Sequence, residues 1–305
     1  MLVHFGVDLV EAEWESSVVC IGTFDGVHHG HQALIRQAVS RAREMEQPSV
    51  LVTFDRHPSA ILNPAKKPPS IGTLEQNVRQ FRSLGVSACV ILPFTRELME
   101  KSASDFLQEI LVGKLKAQRL VVGYDFALGH GREGTTTWLA ERIPTDIIEP
   151  VELDGERVSS SAIRAAILEG EIERANHLLS RRFALTGVVV AGQKLGRQLG
   201  FPTLNLARSS DQVIPRDGVY AGVCETSQGV FAAAISVGYR PAVNGQHRTV
   251  EAYLLDFPNT EIYSETVQLY FTHRLRDEVG FESLESLRSQ IESDVQKVRT
   301  LASRD

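Results

Sequence analysis

Residues 20–31 read Cys20-Ile21-Gly22-Thr23-Phe24-Asp25-Gly26-Val27-His28-His29-Gly30-His31, which sets two imidazoles three residues apart among three glycines. Ahead of them Val18-Val19-Cys20-Ile21 is a short apolar run of the kind that forms a buried parallel strand. Behind them Ala33, Leu34, Ala38 and Val39 recur at helical spacing. His28 and His31 therefore fall at a helix mouth, where unpaired backbone N–H groups and the positive end of the dipole favour an anion. Two imidazoles added to that mouth suit a triphosphate, and the chemistry expected is nucleotidyl transfer. An HxxH pair can also bind zinc, but no Cys or third His stands nearby at ligand spacing. A pair of surface histidines with no role is the plainer alternative. Glycines at 22, 26 and 30 speak against it, because they let backbone approach a ligand closely. The pattern fits neither GxxxxGK[ST] nor GxGxxG.

Three further stretches carry chemistry. Val158-Ser159-Ser160-Ser161-Ala162-Ile163-Arg164 opens a helix that runs to Gly170. Capping explains one of the serines, while three in succession followed by Arg164 suggest a second anion site. In Gly123-Tyr124-Asp125-Phe126-Ala127-Leu128-Gly129-His130-Gly131-Arg132, with Gly134 beyond, the glycines satisfy GxGxxG. They come too late after the strand end near Gly123 for the tight turn of a dinucleotide fingerprint. The run Gly192 to Leu206 offers a glycine-rich loop with Lys194, Gly196 and Arg197, then Pro202-Thr203-Leu204-Asn205. On a strand Thr203 and Asn205 share a face, and two neutral oxygens there can hold Mg²⁺. Taken alone, that run reads better as a glycine-rich hairpin with ordinary polar outward positions.

Positioning these groups requires two kinds of architecture. Strands at Ser49–Phe54, Ala88–Leu92 and Arg119–Val122 alternate with helices at Leu74–Leu84 and Ala103–Leu115, which predicts an α/β doubly wound parallel sheet over residues 1–182. Ligands in such sheets bind at the carboxyl ends of the strands, where the histidine motif falls. Pro64, Pro68 and Pro69 mark a long loop able to act as a flap. From about Phe183 the pattern turns to short β-rich runs, which predicts a small antiparallel β-barrel over 183–305. A C-terminal helix follows, with a stripe of Phe281, Leu284, Leu287, Ile291, Val295 and Val298 docked on the barrel.

At 305 residues the chain is long enough for two cored domains. Three distant cysteines, Cys20, Cys89 and Cys224, argue against a disulfide framework. No basic-then-apolar leader and no apolar run of membrane-spanning length is present, so a cytoplasmic location without membrane partners is expected. A net charge of −6 gives no footprint for nucleic acid.

The first motif resembles the GxFDGxHxGH signature of the adenylyltransferase domain of bacterial riboflavin kinase/FAD synthetases, and more broadly the HxGH nucleotidyltransferases. Val158–Arg164 is similar to that family's ISSTxIR motif, with Val158 for Ile and Ser161 for Thr. Gly123–Arg132 resembles its GxDFxFGxxR stretch, with Leu128 where an aromatic is usual, and His57-Pro58 matches another pocket segment. Gly196 to Asn205 resembles the GRxLGFPTAN motif of riboflavin kinase, and Val250–Phe257 its catalytic-glutamate strand. Leu275–Glu278 with Phe281, and Gln290-Ile291 with Asp294, match its C-terminal region. Ser236 and Ala242 depart from the family's usual Asn and Thr.

The resemblance implies a bifunctional enzyme that phosphorylates riboflavin to FMN in the barrel and adenylylates FMN to FAD in the first domain, with ATP as co-substrate and Mg²⁺ as cofactor. It implies Glu251, His28, His31 and Arg164 as catalytic. ATP contacts would come from Gly22, Thr23, Phe24, Asp25, Gly26, Gly30, Ser159, Ser160 and Ser161 in one site and from Lys194, Gly196 and Arg197 in the other. Flavin contacts would come from His57, Pro58, Asp125, Phe126, Leu128 and Arg276, and metal contacts from Thr203 and Asn205. A solvent-facing carboxylate is the plain alternative for Glu251. For the whole chain the alternatives are one retained activity, a flavin- or nucleotide-binding regulator without turnover, or transfer of AMP or CMP to a non-flavin phosphate.

Overall fold

The first apolar runs are buried on both sides, as a parallel sheet covered by helices demands. They are seen in a computed structural model that describes residues 1–7, 10, 14–192, 195–208, 211–242, 245–258 and 260–303. Contacts divide the chain into two units, Met1–Ser160 and Ser161–Asp305. In chain order the first unit begins β1 (Leu2–Phe5), β2 (Ser17–Ile21), α1 (His29–Glu44), β3 (Ser49–Phe54), α2 (Ser59–Leu62), α3 (Leu74–Ser83), β4 (Ala88–Leu92), α4 (Arg96–Glu100) and α5 (Ala103–Asp105). It continues with β5 (Ala117–Gly123), β6 (Ala127–Leu128), β7 (Gly134–Thr135), α6 (Thr136–Ala140), β8 (Thr145–Ile148), β9 (Glu152–Leu153) and β10 (Glu156–Arg157).

Strands pair in the order β1-β4-β3-β2-β5-β8, every pair parallel. Every residue of β2 and β4 is buried. Alternation sends Val19, Ile21, Val50 and Val52 into one apolar layer and Val18, Cys20, Leu51 and Cys89 into the other. After β2 the chain builds outward through β3 and β4, then returns to β5 on the opposite side of β2. That reversal opens a crevice at the carboxyl ends of β2 and β5.

The helix expected over Ala103–Leu115 is present but widens. From Phe106 to Lys114 it takes π geometry, and the Leu115 amide donates to the Ile110 carbonyl five residues back at 2.9 Å. The proline loop folds into α2 and a 3₁₀ turn at Pro64–Lys66. β1 and β8 carry no strong sequence signal, since each is a four-residue edge strand only partly buried.

The second unit is headed by α7 (Ser160–Glu169), at whose first residue the division falls, and α8 (Ile172–Leu179). Then come β11 (Phe183–Val190), α9 (Leu195–Gln198), β12 (Thr203–Ala207), β13 (Gly218–Thr226), β14 (Gly229–Ala242), β15 (Gly245–Leu254), β16 (Thr266–Arg276) and α10 (Leu284–Ala302). Asn176 of α8 donates to the Phe271 carbonyl at 2.9 Å and accepts from the Phe183 amide at 2.6 Å, which fastens α8 to the barrel. The strands close in the order β11-β12-β15-β14-β13-β16, each neighbouring pair with a recorded register being antiparallel.

Leu204, Ala252, Ile235 and Tyr220 oppose one another across four strands and fill the interior. The adjacent residues point outward. Ala221, Ala234 and Tyr253 on that outer face pack against Val295 and Val298 of α10. The expected stripe on α10 therefore docks from Ile291 onward, whereas Phe281 and Leu287 line a pocket and Leu284 is 60% exposed.

Candidate active sites

The loop after β2 is held in an unusual backbone state. Phe24 and Val27 have φ of 47° and 41°, a left-handed conformation that costs non-glycine residues of order 1–3 kcal/mol each. Burial of both side chains and a bond from the Gln32 side chain to the Val27 carbonyl at 3.0 Å hold them there. Gly26 has φ 81°, and a Cβ on it would lie 2.9 Å from Ile71 Cγ2. The Asp25 carboxylate accepts from the Ile71 amide at 2.9 Å and the Gly72 amide at 3.4 Å. Asp25 thus spends its charge on bracing the loop.

His28 caps α1: its Nδ1 accepts from the His31 amide at 3.4 Å. An accepting Nδ1 assigns the ring proton to Nε2. The two imidazoles stack with centroids 3.6 Å apart and planes at 20°, and His31 rests edge-on against Phe24 at 5.3 Å. The result is a rigid pair of rings at the positive end of a sixteen-residue helix. Ser160 ties the serine motif to the same loop by donating to the Asp25 carbonyl at 3.0 Å. Ser159 is half-buried beside it. Ser161 and Arg164 follow one turn apart on α7, Ser161 exposed and Arg164 half-buried.

A cavity of about 670 Å³ opens at the crevice between β2 and β5. It brings together Gly22, Thr23, Phe24, His31, Pro58, Asp125, Phe126 and Leu128. His57 is not among the lining residues; it precedes Pro58, and its Nδ1 accepts from the Ser59 amide at 3.1 Å. The cavity is also lined by Phe54, Phe94 and Arg132; Arg132 closes the Gly123–Arg132 stretch and Phe54 opens the segment that holds His57-Pro58, so only Phe94 escaped sequence reasoning. The two phenylalanines, at the ends of β3 and β4, stack edge-to-face at 5.4 Å and form an apolar wall. Arg132 donates to the Asp125 carbonyl at 2.8 Å. The signal for Phe94 was topological, since it follows β4, whose carboxyl end reaches the same cavity. Gly129 answers the GxGxxG question: a Cβ there would lie 2.4 Å from the Ala103 nitrogen, so it serves close packing between loops.

The barrel site is a row. Asn205, Glu251, Ser236, Val219 and Arg276 oppose one another across β12, β15, β14, β13 and β16 on the outer face. Glu251 is only 7% exposed, and Thr203, two residues before Asn205 on the same face, donates its hydroxyl to Oε2 at 3.2 Å. The solvent-facing alternative for Glu251 is thereby excluded. Gly192 abuts the Asn205 amide so closely that a Cβ would come within 2.2 Å of Nδ2. Two cavities flank this row. One of about 360 Å³ is lined by Arg197, Pro202, Asp256 and Glu261, with Arg197 and Glu261 3.5 Å apart. The other, of about 230 Å³, is lined by Gly196, Glu251, Arg276, Phe281, Leu287 and Ile291. Thr203 and Tyr253 line both. Lys194 lies outside the described residues, as does the side chain of Ala242.

Among the described residues no group of three or more His, Cys, Asp or Glu could hold a metal ion, and no helix is long and apolar enough to cross a membrane. Family models for FAD synthetase and riboflavin kinase match residues 10–162 and 179–302. The bifunctional riboflavin kinase/FMN adenylyltransferase of Listeria monocytogenes is 36% identical over 94% of this chain and 93% of its own. The protein of the same name from Pseudomonas fluorescens is 35% identical over 97% and 96%. A crystal structure described as a macrolide-efflux protein from Streptococcus pneumoniae superposes with a TM-score of 0.90 at 31% identity, covering 98% of this chain and 99% of that one. The chain belongs to the bifunctional riboflavin kinase/FMN adenylyltransferase family.

Proposed function

We propose that this chain phosphorylates riboflavin to FMN with ATP in the barrel unit and adenylylates FMN to FAD with a second ATP in the α/β unit. The observation that carries the reading is that each site suits its nucleophile. The barrel holds a buried carboxylate on a pocket wall, and the helix mouth offers hydrogen-bond donors.

In the kinase step the attacking ribityl hydroxyl is neutral and must lose a proton. Glu251 takes it while the oxygen attacks the γ-phosphorus and ADP departs. The 360 Å³ cavity accommodates the nucleotide, and the apolar 230 Å³ cavity the flavin. The two meet at Thr203, beside the base. Thr203 and Asn205 present neutral oxygens on one face, a donor set that fits Mg²⁺ arriving with ATP. That ion would offset charge on the β- and γ-phosphates.

In the adenylyl step the nucleophile is the FMN phosphate, already anionic. It attacks the α-phosphorus and pyrophosphate leaves, with no base needed. His28, His31 and the backbone donors at the head of α1 hold the phosphates and stabilise the charge that develops. Arg164's grip on the outgoing pyrophosphate rests on the family motif. Chromatography of a reaction with riboflavin, ATP and Mg²⁺ tests the reading: FMN appears first and FAD later. FMN that accumulates without FAD removes the second activity. Untouched riboflavin, with FAD formed only from added FMN, removes the first.

A further inference from the structure

Arg276 ends the barrel row and is held by a carboxylate with no assigned role. Asp294 of α10 is 3% exposed. Its Oδ2 accepts from Arg276 Nε at 2.9 Å and lies 2.8 Å from Nη2. Gln290, one turn earlier, donates to Asp294 Oδ1 at 3.0 Å. At the far end of the guanidinium, Nη1 donates to the Asp277 carbonyl at 2.9 Å. Both edges of the plane are therefore fixed. Each Nη still carries a second hydrogen that these partners do not take.

The ion pair stands in the wall of the cavity that also holds Glu251. Glu251 and Arg276 belong to one cross-strand row with Ser236 and Val219 between them. Three strand spacings separate the two, roughly 14 Å along the wall. A flavin whose ribityl hydroxyl meets Glu251 extends its tricyclic ring along that wall, and the ring's far end carries carbonyl acceptors.

Resting on the kinase reading above, we infer that Asp294, steadied by Gln290, is a positioning residue that aims the Arg276 guanidinium at the ring end of the bound flavin. An interaction so far from the reacting oxygen is the same before and during phosphoryl transfer. It acts on binding, hence on KM, and leaves kcat alone.

The test uses the full chain and measures riboflavin KM and kcat for FMN formation. Asp294→Asn should raise KM by on the order of tenfold, with kcat held within about threefold. FAD formation from added FMN in the same sample reports on the integrity of the preparation. Removing one partner of a buried pair can unfold a protein, whereas replacing both with apolar residues is tolerated. The paired variant Arg276→Met with Asp294→Leu is therefore measured as well. A KM that stays raised in the folded paired variant supports the inference. A wild-type KM in either variant overturns it, because the pair then serves packing alone. If Asp294→Asn does not fold, Asp294→Glu decides, since it keeps the charge while shifting both oxygens: a raised riboflavin KM at unchanged kcat supports the inference and a wild-type KM overturns it. Wild-type protein that makes no FMN overturns the kinase reading itself and takes this inference with it.

Discussion

His28 has two duties that a pair of substitutions separates. Its Nδ1 caps α1 and its Nε2 carries the ring proton that a phosphate oxygen would accept. In His28→Ala both are lost. The cap bond is long, 3.4 Å, so its loss belongs at the low end of the usual range, about 0.5–1 kcal/mol. For a unit of this size that is a fall in Tm of roughly 1–4 °C. On the proposed function the donor is worth more, because it would face charge that grows in the transition state. Its removal should lower kcat for FAD formation by about 10²–10³, or roughly 3–4 kcal/mol. His28→Asn keeps an accepting oxygen where Nδ1 was, and Asn is a favoured N-cap, but it lacks a donor at the Nε2 position. The expected result is a Tm near wild type with FAD formation as slow as in the Ala variant. Differential scanning calorimetry and chromatographic initial rates, with kinase activity as internal reference, give all three numbers. Asn and wild type forming FAD equally fast would refute the donor role. Equal loss of both activities would refute the separation of the sites.

Glu251→Gln keeps shape and an oxygen for the Thr203 hydroxyl, so the fold should persist while FMN formation falls by about 10²–10⁴. FAD formation from supplied FMN should continue, and a kinase loss under tenfold would remove Glu251 from the base role. Burial pushes the Asp146 carboxyl up, but hydrogen bonds from Arg41 and Gln37 and the charge of Arg119 hold it below its usual 3.8. Stability from that group is present above about pH 4 and is lost as pH falls through the lower folded value. Asp146→Asn should therefore flatten the acid limb of a Tm–pH curve, and an unchanged limb would contradict this. Burial pushes the Cys89 and Cys224 thiols up to about 12, and raises Cys20 well above the usual thiol range. Native protein should leave a thiol reagent unspent at pH 8 while denatured protein consumes three equivalents, and fast labelling of the native chain would sink the claim.

The sequence made the two architectures legible because the signals differ in period. Val18–Ile21 and Ala88–Leu92 are continuous apolar runs that only a doubly covered sheet accommodates, and both are strands. What it concealed depends on contacts between distant segments. Nothing local marks Asp25 as a brace, since its partners Ile71 and Gly72 come from the proline loop. The widened helix at Phe106–Lys114 is equally silent, because its composition suits any helix. Thr203, Asn205 and Glu251 were readable as motif residues. The membership of Asn205 and Glu251 in one row with Ser236, Val219 and Arg276 was not, because strand register depends on how the barrel closes.

The two sites solve opposite electrostatic problems, and the positions of their carboxylates follow. A buried anion beside the kinase substrate is useful only because the nucleophile must give up a proton, and Glu251 is buried on the pocket wall. An anion facing the helix mouth would repel both the triphosphate and the flavin phosphate. Asp25, the acidic residue inside that motif, turns its oxygens to the Ile71 and Gly72 amides. The charge that Asp25 carries then fixes the strained loop, which in turn sets the His28 and His31 rings at the head of α1. Replacing Asp25 by Asn should weaken that brace, because its oxygens would no longer carry charge toward the Ile71 and Gly72 amides. The acid within the motif thus serves the backbone of the loop, which in turn presents the two rings.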